Sequence, residues 1–434
     1  MKQKITHKPY QTSKATRRAI KVLTLDRKKL YRFPWSKTDN PGGWVEVTDE
    51  CNLHCPGCYR HRLEGHRPLA AVKEDVLSCR ELTNCDRMGI AGGEPLIYPH
   101  IVEVVEFIAK HKMKPMLLTN GEHLTRELAI KLKKAGLAKF HFHVDSGMKR
   151  PGWTGKTEKQ LNELRQHFAD FVWDLEGLQC GFNITIFPST VKYLPDIVAW
   201  SRKNIHKVQH ISLVAYRAIP LIDSIQYSVN GEKINPGVFQ HSTTNPGEIS
   251  LTATGMFQVV ASHFPGFQPC AYLNGSVDPG TYKFLITLQV GSKKKLYGVL
   301  GPKTAELAQM FFHFFKKRYF EFQKSPAAGK KLFLLSLFDR KLRKAFFNFL
   351  AASVKNPLRL LDRIYVQSIS LQQPNEYLEG EANTCDSCVN MMVYQGKLIN
   401  SCRLDEYRMF GGPLKAQLKK DEKSGTQNVG IKIK

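Results

Sequence analysis

Two hydrophobic periodicities take turns along the first half of this chain. Residues 44–49 alternate apolar and polar positions, as a half-buried strand does. Residues 68–80 follow with helical spacing, and residues 87–91 return to a strand pattern. The alternation continues. Residues 99–112 place Ile101, Val104, Val105 and Ile108 on one helical face. Residues 114–119 predict a third strand, and 124–135 a helix with Gly136 as its stop signal. Strands at 138–145, 178–187 and 207–214 enclose helices at 157–173 and 191–203. Six strand–helix units joined by short connections predict an α/β fold with parallel strands and outer helices.

The pattern changes after the sixth strand. Residues 220–300 are rich in Thr, Ser, Gly and Val, with strand-like runs at 249–252, 257–261 and 284–290. Residues 303–366 read as helical and are dense in phenylalanine and cations, as in Phe311-Phe312-His313-Phe314-Phe315-Lys316-Lys317-Arg318. Two further blocks, 331–338 and 341–350, repeat that mixture. Such helices suit a lipid interface or the wall of a channel for an apolar substrate. A plain helical layer with Phe as its core is the competing reading.

The chemistry is concentrated in Cys51-Asn52-Leu53-His54-Cys55-Pro56-Gly57-Cys58, on the loop that leaves the first strand. Three thiolates at Cys-x3-Cys-x2-Cys spacing can hold three irons of a [4Fe–4S] cluster and leave the fourth open. Zinc, with His54, His61 or His66 as a fourth ligand, is the alternative at this point. The second strand ends in Gly92-Gly93-Glu94-Pro95. Glycines let backbone approach a ligand closely, and a carboxylate suits an ammonium group.

Together these motifs resemble the radical S-adenosylmethionine (radical SAM) superfamily. The position before its third cysteine is often aromatic; here it is Gly57, and the nearest aromatic is Tyr59. The resemblance implies a partial (β/α)6 TIM-like barrel whose site lies at the C-terminal strand ends. It implies a [4Fe–4S] cluster on Cys51, Cys55 and Cys58, with SAM on the open iron. One electron then cleaves the sulfonium, and a 5′-deoxyadenosyl radical abstracts hydrogen from substrate. It also implies a reductant protein such as a flavodoxin or ferredoxin. Gly92, Gly93 and Glu94 match the turn that receives the SAM amino group, and the Asn120 turn falls at the same barrel end.

Strand alternation selects further candidates. His141, His143 and Asp145 share one face of the fourth strand, and Phe140, Phe142 and Val144 share the other. Gly181, Asn183 and Thr185 repeat the pattern on the fifth strand, as do His210 and Ser212 on the sixth. By position, Asp145 and Asn183 match family residues that touch the ribose and methionyl parts of SAM. His141 lies deepest and reads as structural.

Cys385-x2-Cys388-x13-Cys402, with a Gly396 turn before the last thiol, resembles the auxiliary-cluster extensions called SPASM or twitch domains. Cys270 could complete a four-cysteine set for a second [4Fe–4S] cluster, with structural zinc as the alternative. Cys79, Cys85 and Cys180 read as small buried residues.

The net charge of +26 adds an anionic partner to the picture: a membrane surface, an anionic substrate or, less favoured, nucleic acid. Much of the excess lies in 2–37 and 415–434, which solvated tails would equally explain. The expected division is a basic segment 1–40, the barrel 41–220, a mixed and helical C-terminal extension 221–412 carrying the auxiliary metal site, and a basic tail 413–434. No apolar run reaches the length of a membrane span, and no leader is evident, so the expected location is cytoplasmic, peripheral to the membrane at most. The substrate reading is lipid-like, with peptide maturation and RNA modification as alternatives. A rival from another class is a non-enzymatic metal module binding nucleic acid.

Overall fold

The computed structural model describes residues 25–53, 55–56, 58–61, 64–245, 247, 251–323, 325, 327–377 and 380–419. The expected segments 1–24 and 420–434, and the motif residues His54 and Gly57, lie outside these.

Six parallel strands form the barrel: β1 (Gly42–Thr48), β2 (Arg87–Gly92), β3 (Lys114–Thr119), β4 (Lys139–His143), β5 (Gln179–Ile186) and β6 (His210–Ala215). Helices α1 (Leu69–Thr83), α2 (Ile101–Lys110), α3 (Arg126–Lys134), α4 (Asn162–Asp174) and α5 (Leu194–Lys203) return the chain between them. The outward faces carry the predicted apolar positions. Phe140, Phe142 and Val144 are fully buried with Val104, Val105 and Ile108 in the main core. This is the partial TIM-like α/β barrel that the periodicity predicts.

The extension shares the barrel's sheet. After α6 (Ala253–His263) come β7 (Ala271–Asn274), β8 (Tyr282–Gly291) and β9 (Leu296–Val299). Then follow α7 (Pro302–Lys316), α8 (Arg340–Lys355) and β10 (Tyr365–Gln372). β10 pairs in parallel with β6, and β8 runs antiparallel beside β10. At the opposite edge, the hairpin β11 (Met391–Tyr394) and β12 (Lys397–Asn400) joins β1 through the Met391–Gly43 pair. A short helix α9 (Leu404–Phe410) follows.

One sequence expectation is corrected here. Residues 257–261 are not a strand but the middle of α6. Its buried residues Ala253, Met256, Phe257, Val260 and Ala261 recur at helical spacing, and Thr252 caps its start by accepting from Gly255 N at 3.0 Å. A short apolar run fits either period, and the cap decides. Of the neighbouring strand-like run 249–252, residues 249 and 250 lie outside the described residues, and 251–252 are not strand.

The Phe-rich region crosses the N-terminal ends of the strands. Asn84 Nδ2 donates to Lys317 O at 2.7 Å, Arg318 to Lys112 O at 3.1 Å, and Lys114 Nζ to Phe322 O at 2.6 Å. Residues 319–323 and 325 therefore form a floor beneath β2 to β5.

Candidate active site

One continuous cavity of about 660 Å³ occupies the barrel interior. Cys51, Cys55 and Cys58 line it at the rim, beside Gly92, Gly93, Glu94, Asn120, Asp145 and Asn183. The Gly-Gly-Glu turn lies directly against the segment leading into the cysteine loop. Gly93 N donates to Thr48 O and Glu94 N to Glu50 O, both at 2.8 Å. A Cβ on Gly92 (φ +137°) would come within 2.2 Å of Thr48 O, and one on Gly93 within 2.0 Å of Glu50 O. Only glycine permits that approach.

Glu94 is almost wholly buried and carries three donors of its own chain. Its Oε1 accepts from Thr119 Oγ1 at 2.6 Å and Leu96 N at 2.9 Å, and its Oε2 from Asn120 N at 2.7 Å. A carboxylate offers about four acceptor positions, so one remains on Oε2. Burial raises the Glu94 pKa despite these bonds, which is the environment an ammonium group would relieve. Asn120 is fixed in turn, donating from Nδ2 to Asn52 Oδ1 at 2.7 Å.

Asp145 sits at the top of β4, with Oδ2 2.6 Å from His143 Nε2 and accepting from Thr185 N at 3.0 Å. Burial alone would raise its pKa, but His143 and these hydrogen bonds hold it below the usual carboxylate range. Asn183 also faces the cavity.

The cysteine loop is held by a charge network that sequence reasoning missed. Buried Arg60 reaches Glu46 at 2.6 Å, Asp405 at 2.5 Å and Asp49 at 3.3 Å. Asp405 also accepts from His61 N, and Arg408 reaches Asp49 at 2.6 Å. Helix α9 thus clamps the loop. The available signal was Glu46, a charge between Val45 and Val47 in an otherwise apolar strand.

The chemistry of the donor set fits an iron–sulfur cluster. Burial pushes the Cys55 thiol up to about 12, with Cys58, Asp145 and Cys51 adding to it. Ionising such a thiol needs strong cationic partners, and iron supplies them. Among the described residues, no group of three or more His, Cys, Asp or Glu side chains could hold a metal ion. A cubane makes a different demand, because each thiolate binds its own iron.

Cys385, Cys388 and Cys402 line the same cavity and lie within electrostatic reach of one another. Cys402 Sγ also donates to Asn375 Oδ1 at 3.4 Å, and its carbonyl accepts from Arg217, which is paired with Glu406 at 2.9 Å. Cys270, unlike these three, does not line the cavity. It precedes β7 in a core with Phe33, Trp35 and Leu273, against which Cys385 also packs, and its thiol donates to Ile286 O at 3.3 Å. Cys79, Cys85 and Cys180 are buried core residues.

A cysteine-lined rim on a partial parallel barrel, with a glycine turn pressed beside it, defines an iron–sulfur enzyme that uses S-adenosylmethionine. Residues 45–176 match the Radical SAM superfamily. Its cofactors are a [4Fe–4S] cluster and SAM, and such enzymes need a reductant. The chain is 26% identical over 170 residues to a probable GTP 3′,8-cyclase of Methanocaldococcus jannaschii, covering 36% of this chain and 54% of that protein. It is 30% identical over 189 residues to the GTP 3′,8-cyclase of Streptomyces coelicolor, covering 38% and 51%. It is 28% identical over 182 residues to an Fe-coproporphyrin III synthase of Methanosarcina barkeri, covering 40% and 44%. The chain thus spans about half the length of these curated relatives. Among solved structures, anSMEcpe with bound AdoMet superposes with a TM-score of 0.37 at 12% identity, covering 52% of this chain and 60% of that one. Streptococcus suis SuiB bound to S-adenosylmethionine gives 0.33 at 17% identity, covering 42% of each.

Proposed function

We propose that this protein cleaves SAM reductively and abstracts hydrogen from an apolar, lipid-type substrate at a membrane surface. Cys51, Cys55 and Cys58 would hold three irons of the catalytic cluster. Gly92, Gly93 and the remaining acceptor position of Glu94 would receive the SAM amino group, with Asp145, Asn183 and the Asn120 turn lining the same ligand. Cys385, Cys388 and Cys402 would hold a second cluster. The bound cluster supplies the single electron that SAM cleavage requires. The chain's own part is to orient these groups and exclude water from them.

The observation that carries the substrate reading is the apolar lining of the cavity. Besides the cysteine rim it includes Met116, Leu118, Ile286, Leu288, Leu332 and Leu335. Those last two lie on residues 330–337, whose other face exposes Leu334 (71%) and Leu337 (73%). Phe314, Phe315 and Phe338 are exposed nearby in sequence, among exposed Lys316, Lys317, Lys330, Lys331, Arg340 and Lys344. Apolar side chains interleaved with cations fit an anionic bilayer, where each cation contributes about 1 kcal/mol. Among the described residues no helix is long and apolar enough to cross a membrane, which agrees with surface docking.

A nucleoside triphosphate fits this cavity less well. It needs several free cations, yet the cavity's Arg60, Arg87 and Arg217 are each already paired with carboxylates, which leaves Lys139 alone among its described Lys and Arg side chains.

The test is anaerobic turnover of the reconstituted enzyme with SAM and dithionite. Formation of 5′-deoxyadenosine should rise with a membrane lipid extract and not with GTP or a peptide mixture. It should fall to background in Cys55→Ala, with loss of iron. Stimulation by GTP or peptide alone would overturn the lipid reading.

A further inference from the structure

The barrel floor carries positive charge that the chain does not neutralise. Lys139 opens β4 and is 2% exposed, yet its ammonium makes no hydrogen bond and no ion pair among the described residues. Its neighbours are the Phe322 ring, 4.8 Å from Nζ to centroid, and the Glu321 carboxylate, which Arg87 already binds through Nε at 2.6 Å and its terminal nitrogen at 2.5 Å. His141 follows on the same face. It is 6% exposed, and neither ring nitrogen makes a hydrogen bond of normal geometry. His210 on β6 stands beside it, ring centroids 5.3 Å apart. All three side chains line the cavity.

Most other polar groups of this layer are engaged. Gln179 Nε2 donates to Gln323 O and Ser325 O, and Gln209 spans Cys180 N and His206 O. Ser212, Ser370 and Gln372 bond one another. Gln179 Oε1 lacks a hydrogen-bond partner, as His141 does, but Lys139 alone among these is a charge, and buried charges are ordinarily paired. Gly181 on β5 opens the space around them: a Cβ there would come within 2.9 Å of Lys139 Cε and 3.4 Å of His141 Nδ1. Burial lowers the Lys139 pKa to about 8, so a bound anion would stabilise its charged form.

This layer is separate from the rim. Lys139 precedes Asp145 by six residues, about 20 Å at the rise of a strand.

We propose that Lys139, His141 and His210 form a receiving site for one acidic group, carboxylate or phosphate, on an otherwise apolar substrate. This rests on the apolar-substrate reading above and adds the substrate's polar end to it. The test is calorimetric binding of dodecanoate, dodecyl phosphate and 1-dodecanol to the reconstituted holoenzyme. At least one acid should bind about tenfold or more tightly than the alcohol, the scale of one charge-assisted hydrogen bond, and the tighter acid identifies the group. Lys139→Met should abolish that preference, leaving dodecanol affinity and SAM-dependent spectral changes of the cluster as in wild type.

Equal binding of acids and alcohol by the wild type would overturn the acidic-group site and leave the apolar reading standing. Binding of none of the three would overturn both. A folded Lys139→Met that keeps the acid preference would overturn the role of the lysine and the proposal with it. Should that variant not fold, the wild-type comparison alone decides.

Discussion

The two ends of the barrel handle buried charge in opposite ways. At the rim the buried charges are tied down: Arg60 sits among Glu46, Asp49 and Asp405, and Glu94, which has no cation beside it, accepts three hydrogen bonds. At the floor Lys139 has only the Phe322 ring and a carboxylate that Arg87 already binds, and neither ring nitrogen of His141 makes a hydrogen bond of normal geometry. The rim is built to hold its shape before any ligand arrives. The floor carries a standing cost, which makes sense where a ligand removes it.

The largest effect that would break this contrast is at Arg60. Arg60→Met leaves Glu46 and Asp405 buried without their cation, which costs about 3–5 kcal/mol when one partner of a buried pair is removed. Urea unfolding should show that loss, and a change below ~1 kcal/mol would mean the rim is not held as argued.

The floor predicts the opposite sign. The folded-state pKa of Lys139 is depressed from 10.5 to about 8. Below pH 8 both states carry the charge and the folded state bears the full burial cost. Between about pH 8 and 10.5 the unfolded state binds more protons, so wild-type stability rises with pH. Lys139→Met should therefore be more stable than wild type at pH 7, by up to about 3 kcal/mol, with the gain vanishing by pH 10.5. A destabilised but folded variant would show that the lysine has a structural partner.

The smallest effect concerns the exposed apolar face of residues 330–337. Leu334 and Leu337 are exposed, so their double replacement by Ser should change stability by no more than about 0.5 kcal/mol. The same variant should lose most of its co-sedimentation with phosphatidylglycerol vesicles. Unchanged sedimentation would remove the membrane from the proposal.

Much of this barrel was legible in the sequence because a strand buried on both faces separates its residues by chemistry. Phe140 and Phe142 went to the helices, while His141 and His143 faced the cavity. The motif cysteines and the Gly92–Glu94 turn were legible because each needs its neighbours in sequence. What was not legible depended on distant partners. Arg60 finds Asp405 across 345 positions, and no local pattern announces that pairing. Spacing also said nothing of where the Cys270 thiol points, which is toward the Ile286 carbonyl of β8 in a core that Cys385 packs against. Phe257 was misassigned because five residues are too few to separate the two periods.

The clamp from helix α9 also bears on how the metal is loaded. Arg60 and His61 are bound by Asp405, and Asp49 by Arg408. A nascent chain that stops short of residue 400 presents its first three cysteines without the brace that shapes their loop. Removal of helix α9 is therefore expected to lower iron incorporation at this loop, read as iron content after anaerobic reconstitution.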